Sequence, residues 1–112
     1  MKVSFDGIGE KLVTFISNNV TKGHVVKVSA AGTVSECSAA DPFDGAALFV
    51  DGGYAAVRLG GFVTVGYTGT APGVGRAILV ANGSGGVKTA ESGDTYLVVD
   101  QDTTAKTVTI IL

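Results

Sequence analysis

The sequence predicts an all-β protein, a small compact barrel or sandwich of about eight short strands with an N-terminal arm, and three observations carry that prediction. Seventeen glycines break the 112-residue chain at short intervals. The runs between them are rich in Val, Ile, Thr, Tyr and Phe and alternate with a period near two. No segment of the body has an amphipathic helical pattern, and turn signals recur roughly every 8 to 12 residues, the spacing of sandwiches and barrels. A compact barrel is the preferred form.

The first 22 residues stand apart. Val3, Phe5, Ile8, Leu12, Val13, Phe15 and Ile16 follow neither a period of two nor one of 3.6, so residues 1–22 read as an arm or docking segment, or with Lys11 to Ser17 as an irregular first strand or short helix. From His24 to Ser29 the chain alternates, with Val26 and Val28 on one face and Val25, Lys27 and Ser29 on the other, and Ala30-Ala31-Gly32 leads into Thr33 to Glu36 as a hairpin. Cys37 to Gly45 is irregular, and Pro42 makes it a loop or edge in which Phe43 either anchors in a partner or caps the barrel. Ala46 to Val50 and Tyr54 to Leu59 flank Asp51-Gly52-Gly53, where glycine allows the positive φ of a tight hairpin.

After Gly60-Gly61, Phe62 to Tyr67 alternates with Val63, Val65 and Tyr67 on one side. Gly75 to Ala81 is a further strand, Asn82 to Gly86 a loop tip, Val87 to Thr89 a short strand, and Gly93-Asp94 a turn into Thr95 to Asp100. Lys106 to Leu112 closes the chain, with Val108, Ile110 and Leu112 on a core face and Thr107 and Thr109 toward solvent or a neighbour. Residues 23–112 thus form the barrel of what reads as a single domain. At this length folding buries roughly 65% of the unfolded chain's surface, enough for one core without disulfides or metal. The lone Cys37 agrees, since it cannot pair within the chain.

Charged residues make up only 16% of the chain, against a usual share of about 25%. So little charge leaves apolar surface to be covered by copies of the chain or by another protein. The eight basic residues are scattered and the net charge is −2, which argues against nucleic acid as a partner. Asp6, Gly7, Gly9 and Glu10 interrupt the N-terminus before it reaches signal-peptide length, and no apolar run approaches the roughly 20 residues needed to cross a bilayer. A soluble protein without membrane contact is expected.

Residues with chemistry are few. The only possible Cys-His pair is Cys37 with His24, and nothing in the sequence supplies the orienting third group that nucleophilic catalysis needs. Zinc lacks ligands. Asp100-Gln101-Asp102-Thr103-Thr104 opens like a calcium loop, but Ala105 and Ile111 stand where such a loop requires Gly and Glu, so it reads as a turn. Gly69 to Arg76 is glycine-rich, yet it lacks Gly-Lys-Ser/Thr and runs into a strand, so it is no phosphate cradle. The ten acids offer pairings in space, but no aromatic sugar platform accompanies them. The expectation is a non-enzyme with no cofactor and no metal.

From Gly23 to the C-terminus the chain resembles the head-decoration proteins of tailed bacteriophages. The pattern runs through Gly23-His24-Val25-Val26-Lys27-Val28, Thr33-Val34, and Asp44 to Leu59 with its Val50-Asp51-Gly52-Gly53-Tyr54 turn. It continues through Gly61-Phe62-Val63-Thr64-Val65, Pro72-Gly73-Val74-Gly75, Gly93-Asp94-Thr95-Tyr96-Leu97-Val98-Val99-Asp100 and Thr107-Val108-Thr109-Ile110-Ile111-Leu112. The likeness spans about four fifths of the chain and contains no diagnostic motif. It implies a β-barrel, commonly a homotrimer, made in the host bacterial cytoplasm and seated on the outer surface of the virion, where it clamps neighbouring major capsid subunits. On that reading Phe5, Ile8, Leu12, Phe15 and Phe43 are the candidate capsid contacts, the N-terminal ones by strand addition. Two other classes compete. A lipoyl- or biotinyl-like carrier would use Lys88 in Gly86-Val87-Lys88-Thr89, although the Met-Lys or Asp-Lys turn signal is missing. A spike, pilus or adhesin subunit would put the same low-charge surface to polymerisation or receptor binding.

Overall fold

The computed structural model describes residues 11–112, which are all β, with ten strands. They are β1 (Lys11–Asn18), β2 (Val25–Ala30), β3 (Thr33–Glu36), β4 (Gly45–Asp51), β5 (Tyr54–Gly60), β6 (Phe62–Gly66), β7 (Gly75–Ala81), β8 (Val87–Thr89), β9 (Thr95–Asp102) and β10 (Thr107–Ile111). The first five close into a barrel in the order β1-β3-β2-β4-β5, and the last five form a sheet in the order β6-β10-β9-β7-β8. That sheet also curls on itself. Tyr67, just beyond β6, bridges to Val87 on β8, and Thr68 N–H donates to the Val87 carbonyl at 3.0 Å.

The barrel is narrow because a closed sheet's diameter follows its strand number. Its interior is accordingly filled by small and β-branched side chains: Val20, Val26, Val34, Ala47, Ala55 and Val57, with Phe15, Val50 and Leu59 packed at the margin. The β4–β5 hairpin turns through Gly52 and Gly53 at φ of 53° and 93°. Two positive values in a two-residue loop are the twist-matched geometry that the Asp-Gly-Gly sequence predicts.

A second core lies between the barrel wall and the other sheet. Val25 and Ala46, paired across β2 and β4, face outward from the barrel and meet Val65, Tyr67, Leu79, Val87, Val98, Val108 and Ile110. Strand β2 therefore begins with both faces buried, Val26 inside the barrel and Val25 against the sheet. On β10, Val108 and Ile110 are core residues with Leu112 packed against them, while Thr109 points the other way and its Oγ1 lies 2.8 Å from that of Thr64.

Two expectations are refined. There are ten strands among the described residues rather than about eight, and of the two readings of Lys11 to Ser17 the first-strand one holds: Lys11–Asn18 is a stave of the barrel. It pairs antiparallel with β5 and parallel with β3. Its broken period has a physical cause. A bulge falls between Lys11 and Leu12, and both faces carry apolar residues, Phe15 inward and Leu12 and Ile16 outward.

Candidate functional site: an apolar flank of the barrel

Side chains directly opposite each other in an antiparallel pair share a face. In the β1–β5 ladder Ile16 lies opposite Tyr54, Thr14 opposite Ala56 and Leu12 opposite Arg58; in the β5–β4 ladder Tyr54 lies opposite Asp51 and Ala56 opposite Phe49. The alternate residues Phe15, Ala55, Val57 and Val50 belong to the barrel interior. Leu12, Ile16, Phe49 and Tyr54 therefore stand together on the outside, 49%, 52%, 58% and 60% exposed. Of the seven large apolar side chains that stand exposed among the described residues, four share this one flank. A β-bulge between Ala47 and Phe49 sets the phase that turns Phe49 outward. Lys22 borders the flank with its Nζ 5.5 Å from the centre of the Phe49 ring.

The predicted contact residues divide. Leu12 is on the flank. Phe15 is half-buried against the barrel core and contributes to the fold. Phe43 is not a surface anchor: only 3% exposed, it stacks on Tyr96 with ring centroids 4.8 Å apart and planes 12° from parallel, and Tyr96 Oη donates to its carbonyl at 3.3 Å. A large ring with a stacking partner in the second core gains more from burial there than from exposure in a loop. Phe5 and Ile8 lie outside the described residues. Sequence reading did not single out Ile16, Phe49 and Tyr54, which the structure brings together on this flank. The β4–β5 hairpin was legible, but the bulge that turns Phe49 to the surface has no signal in Ala46 to Val50.

The side chains with chemistry are tied into the seam between barrel and sheet. His24 Nδ1 hydrogen-bonds to Glu36 Oε1, an acceptor that fixes the proton on Nδ1. The His24 ring lies so close to Gly85 that an added Cβ would stand 2.3 Å from its Cγ, and Gly85 has a φ of +91°. Cys37 is buried, and burial pushes its thiol up to about 11, the opposite of what a nucleophile needs. Its Sγ faces the Pro42 carbonyl at 3.9 Å, while His24 is engaged by Glu36. Lys27 Nζ and Asp41 Oδ2 are 2.7 Å apart; this bond lowers the Asp41 carboxyl, helped by the Ser38 N–H, and raises Lys27. Asp102 accepts from the N–H groups of Thr104 and Ala105, as a turn residue does. Among the described residues no three His, Cys, Asp or Glu side chains converge as a metal site. Lys88 sits within β8, paired with Val80, rather than at a hairpin tip.

The chain matches no protein-family model and no curated protein sequence.

Proposed function

We propose that this protein decorates the head of a tailed bacteriophage, binding the outer surface of the expanded shell and clamping neighbouring major capsid subunits around the packaged DNA. The observation that carries the reading is the division of labour just described: large apolar side chains collect on one outer flank of a closed barrel, while His24, Cys37, Lys27 and Asp41 are engaged within the fold. Such a body offers surface rather than chemistry. The low charge of the chain and the resemblance of Gly23 to Leu112 to decoration proteins support the same reading.

The mechanism is linkage. A protein that binds only the expanded lattice stabilises that state by its differential affinity, and several copies acting together multiply modest contacts. Two cores meeting along β2 and β4 favour a stiff clamp, so little binding energy is spent on ordering it. The test is co-sedimentation of the purified chain with expanded heads that lack it. Saturable binding at a fixed ratio to the major capsid protein, with heads that then resist heat disruption better, is the expected result. A chain that stays in the supernatant at every concentration overturns the proposal.

A further inference from the structure

We infer that the loop tip at Val74 is a knob that seats in an apolar cavity of a second copy of this chain, so that copies associate head to tail. The inference goes beyond the decoration reading and leaves the apolar flank free for a head subunit. Val74 lies between β6 and β7 and is 68% exposed, the most exposed of the large apolar side chains among the described residues. Its loop is fixed at the base, where Pro72 is fully buried and Ala71 packs against the second core. The tip itself stands clear. A Cβ added at Gly73 or Gly75, on either side of Val74, would meet nothing within 4 Å. A valine between two bare glycines on an anchored base is narrow enough to enter a recess and needs little ordering to do so.

The recess lies where β5 passes into β6. A cavity of about 420 Å³ is walled there by Leu59, Phe62, Ile111 and Leu112, and Lys11 is its one charged side chain among the described residues. Being exposed, Val74 does not fill the cavity of its own chain. An apolar knob on one surface and an apolar recess on another make a heterologous contact, which repeats from copy to copy and ends in a ring where the rotation closes. The homotrimer that the resemblance implies is a ring of this kind.

Charge selects the occupant and sets its orientation. Arg76, two residues beyond Val74, is exposed, and so is Asp100, which lies opposite Thr109 on β10. Thr109 and Ile111 are alternate residues of β10, so Asp100 shares the outer face of the cavity wall. Neither Arg76 nor Asp100 has an ion-pair partner among the described residues. Lys11 borders the cavity from the barrel side, beside Gly60. Seating Val74 with Arg76 toward Asp100 and away from Lys11 pairs opposite charges, and a second copy of the chain brings both halves of that match.

The test is sedimentation velocity on the full-length free chain. The native chain is expected to form one discrete oligomer larger than a pair. Val74→Lys should weaken it by about tenfold or more, the loss expected when an anchor in a pocket is removed, and at so exposed a position the circular dichroism spectrum should not change. Ile111→Glu should weaken it from the cavity side. Arg76→Asp and Asp100→Arg, both at exposed positions, should each weaken it, and the two together should restore it, which keeps the test open if Ile111→Glu disturbs the fold. A native chain that is monomeric at every soluble concentration overturns the inference, and so does one that stops at a pair. An oligomer that ignores Val74→Lys, or a folded Ile111→Glu, overturns it as well; the cavity then belongs to the chain's own first ten residues or to a head subunit. Expanded heads saturated by a monomeric chain would leave the decoration reading standing alone, whereas the expected oligomer without head binding would leave only the head-to-tail contact.

Discussion

The loop of residues 37–45 and the flank of β1, β5 and β4 both carry aromatic and charged residues, and the two regions use them in opposite ways. In the loop the ring and both carboxylates are answered by the fold. Phe43 stacks on Tyr96, Asp41 accepts from Lys27 and from the Ser38 N–H, Asp44 accepts from the Val28 N–H, and Ala40 N–H reaches the Ala81 carbonyl. On the flank, Phe49 and Tyr54 stand more than half exposed on paired strands. Irregular backbone thus does the structural work of joining two β units, while regular strands carry the exposed apolar surface. A loop so well partnered is a joint, and an aromatic residue in it is no evidence of a contact site.

The contrast is sharpest for two phenylalanines. Phe43→Ala should destabilise the protein by about 3–5 kcal/mol, the usual cost of removing a buried ring, as measured by urea denaturation. Gly85→Ala strikes the same seam from the other side. The new Cβ meets the His24 ring at a backbone φ of +91°, so a loss of about 2 kcal/mol or more is expected in the same assay. A tolerated alanine there would mean that the seam can yield.

Two pH effects follow from the seam. Because burial holds the Cys37 thiol up at about 11 against an ordinary 9.0, the unfolded chain releases that proton first as pH rises, and stability falls between those values. Tyr96, held up at about 12 by burial, extends the loss to higher pH. Cys37→Ala should remove the part of the loss that begins near pH 9 and leave the part due to Tyr96. Asp41 acts in the opposite range. Its lowered carboxyl contributes stability that is present above the ordinary aspartate value and disappears as pH falls through the folded one. Asp41→Asn should remove that part of the acid dependence. The smallest effect belongs to the flank. Phe49→Ala should change stability by no more than about 0.5 kcal/mol, because an exposed ring has little to lose on truncation. A loss as large as that of Phe43→Ala would erase the distinction between the two regions.

The β body was readable because alternation and turn glycines are local signals. The Asp51-Gly52-Gly53-Tyr54 hairpin, the Phe62 to Tyr67 face and the closing strand all stand as their sequences indicate. Strand β1 was obscured because one of its faces packs the barrel while the other is itself apolar, which removes the alternation that marks a strand. The division into a closed barrel and a second sheet depends on the parallel β1–β3 pairing and on Val25 facing away from Val26, long-range facts that no local pattern encodes. Of the candidate contacts, Leu12 was visible as an apolar residue out of period. Phe43 misled, because a loop aromatic looks the same in sequence whether it meets solvent or Tyr96.

The most direct test of the decoration proposal is quantitative mass spectrometry of density-banded virus particles from cells that make this chain. The account predicts the chain in intact particles at near-stoichiometric abundance relative to the major head protein. Its absence from intact particles, with the head protein abundant, would contradict it.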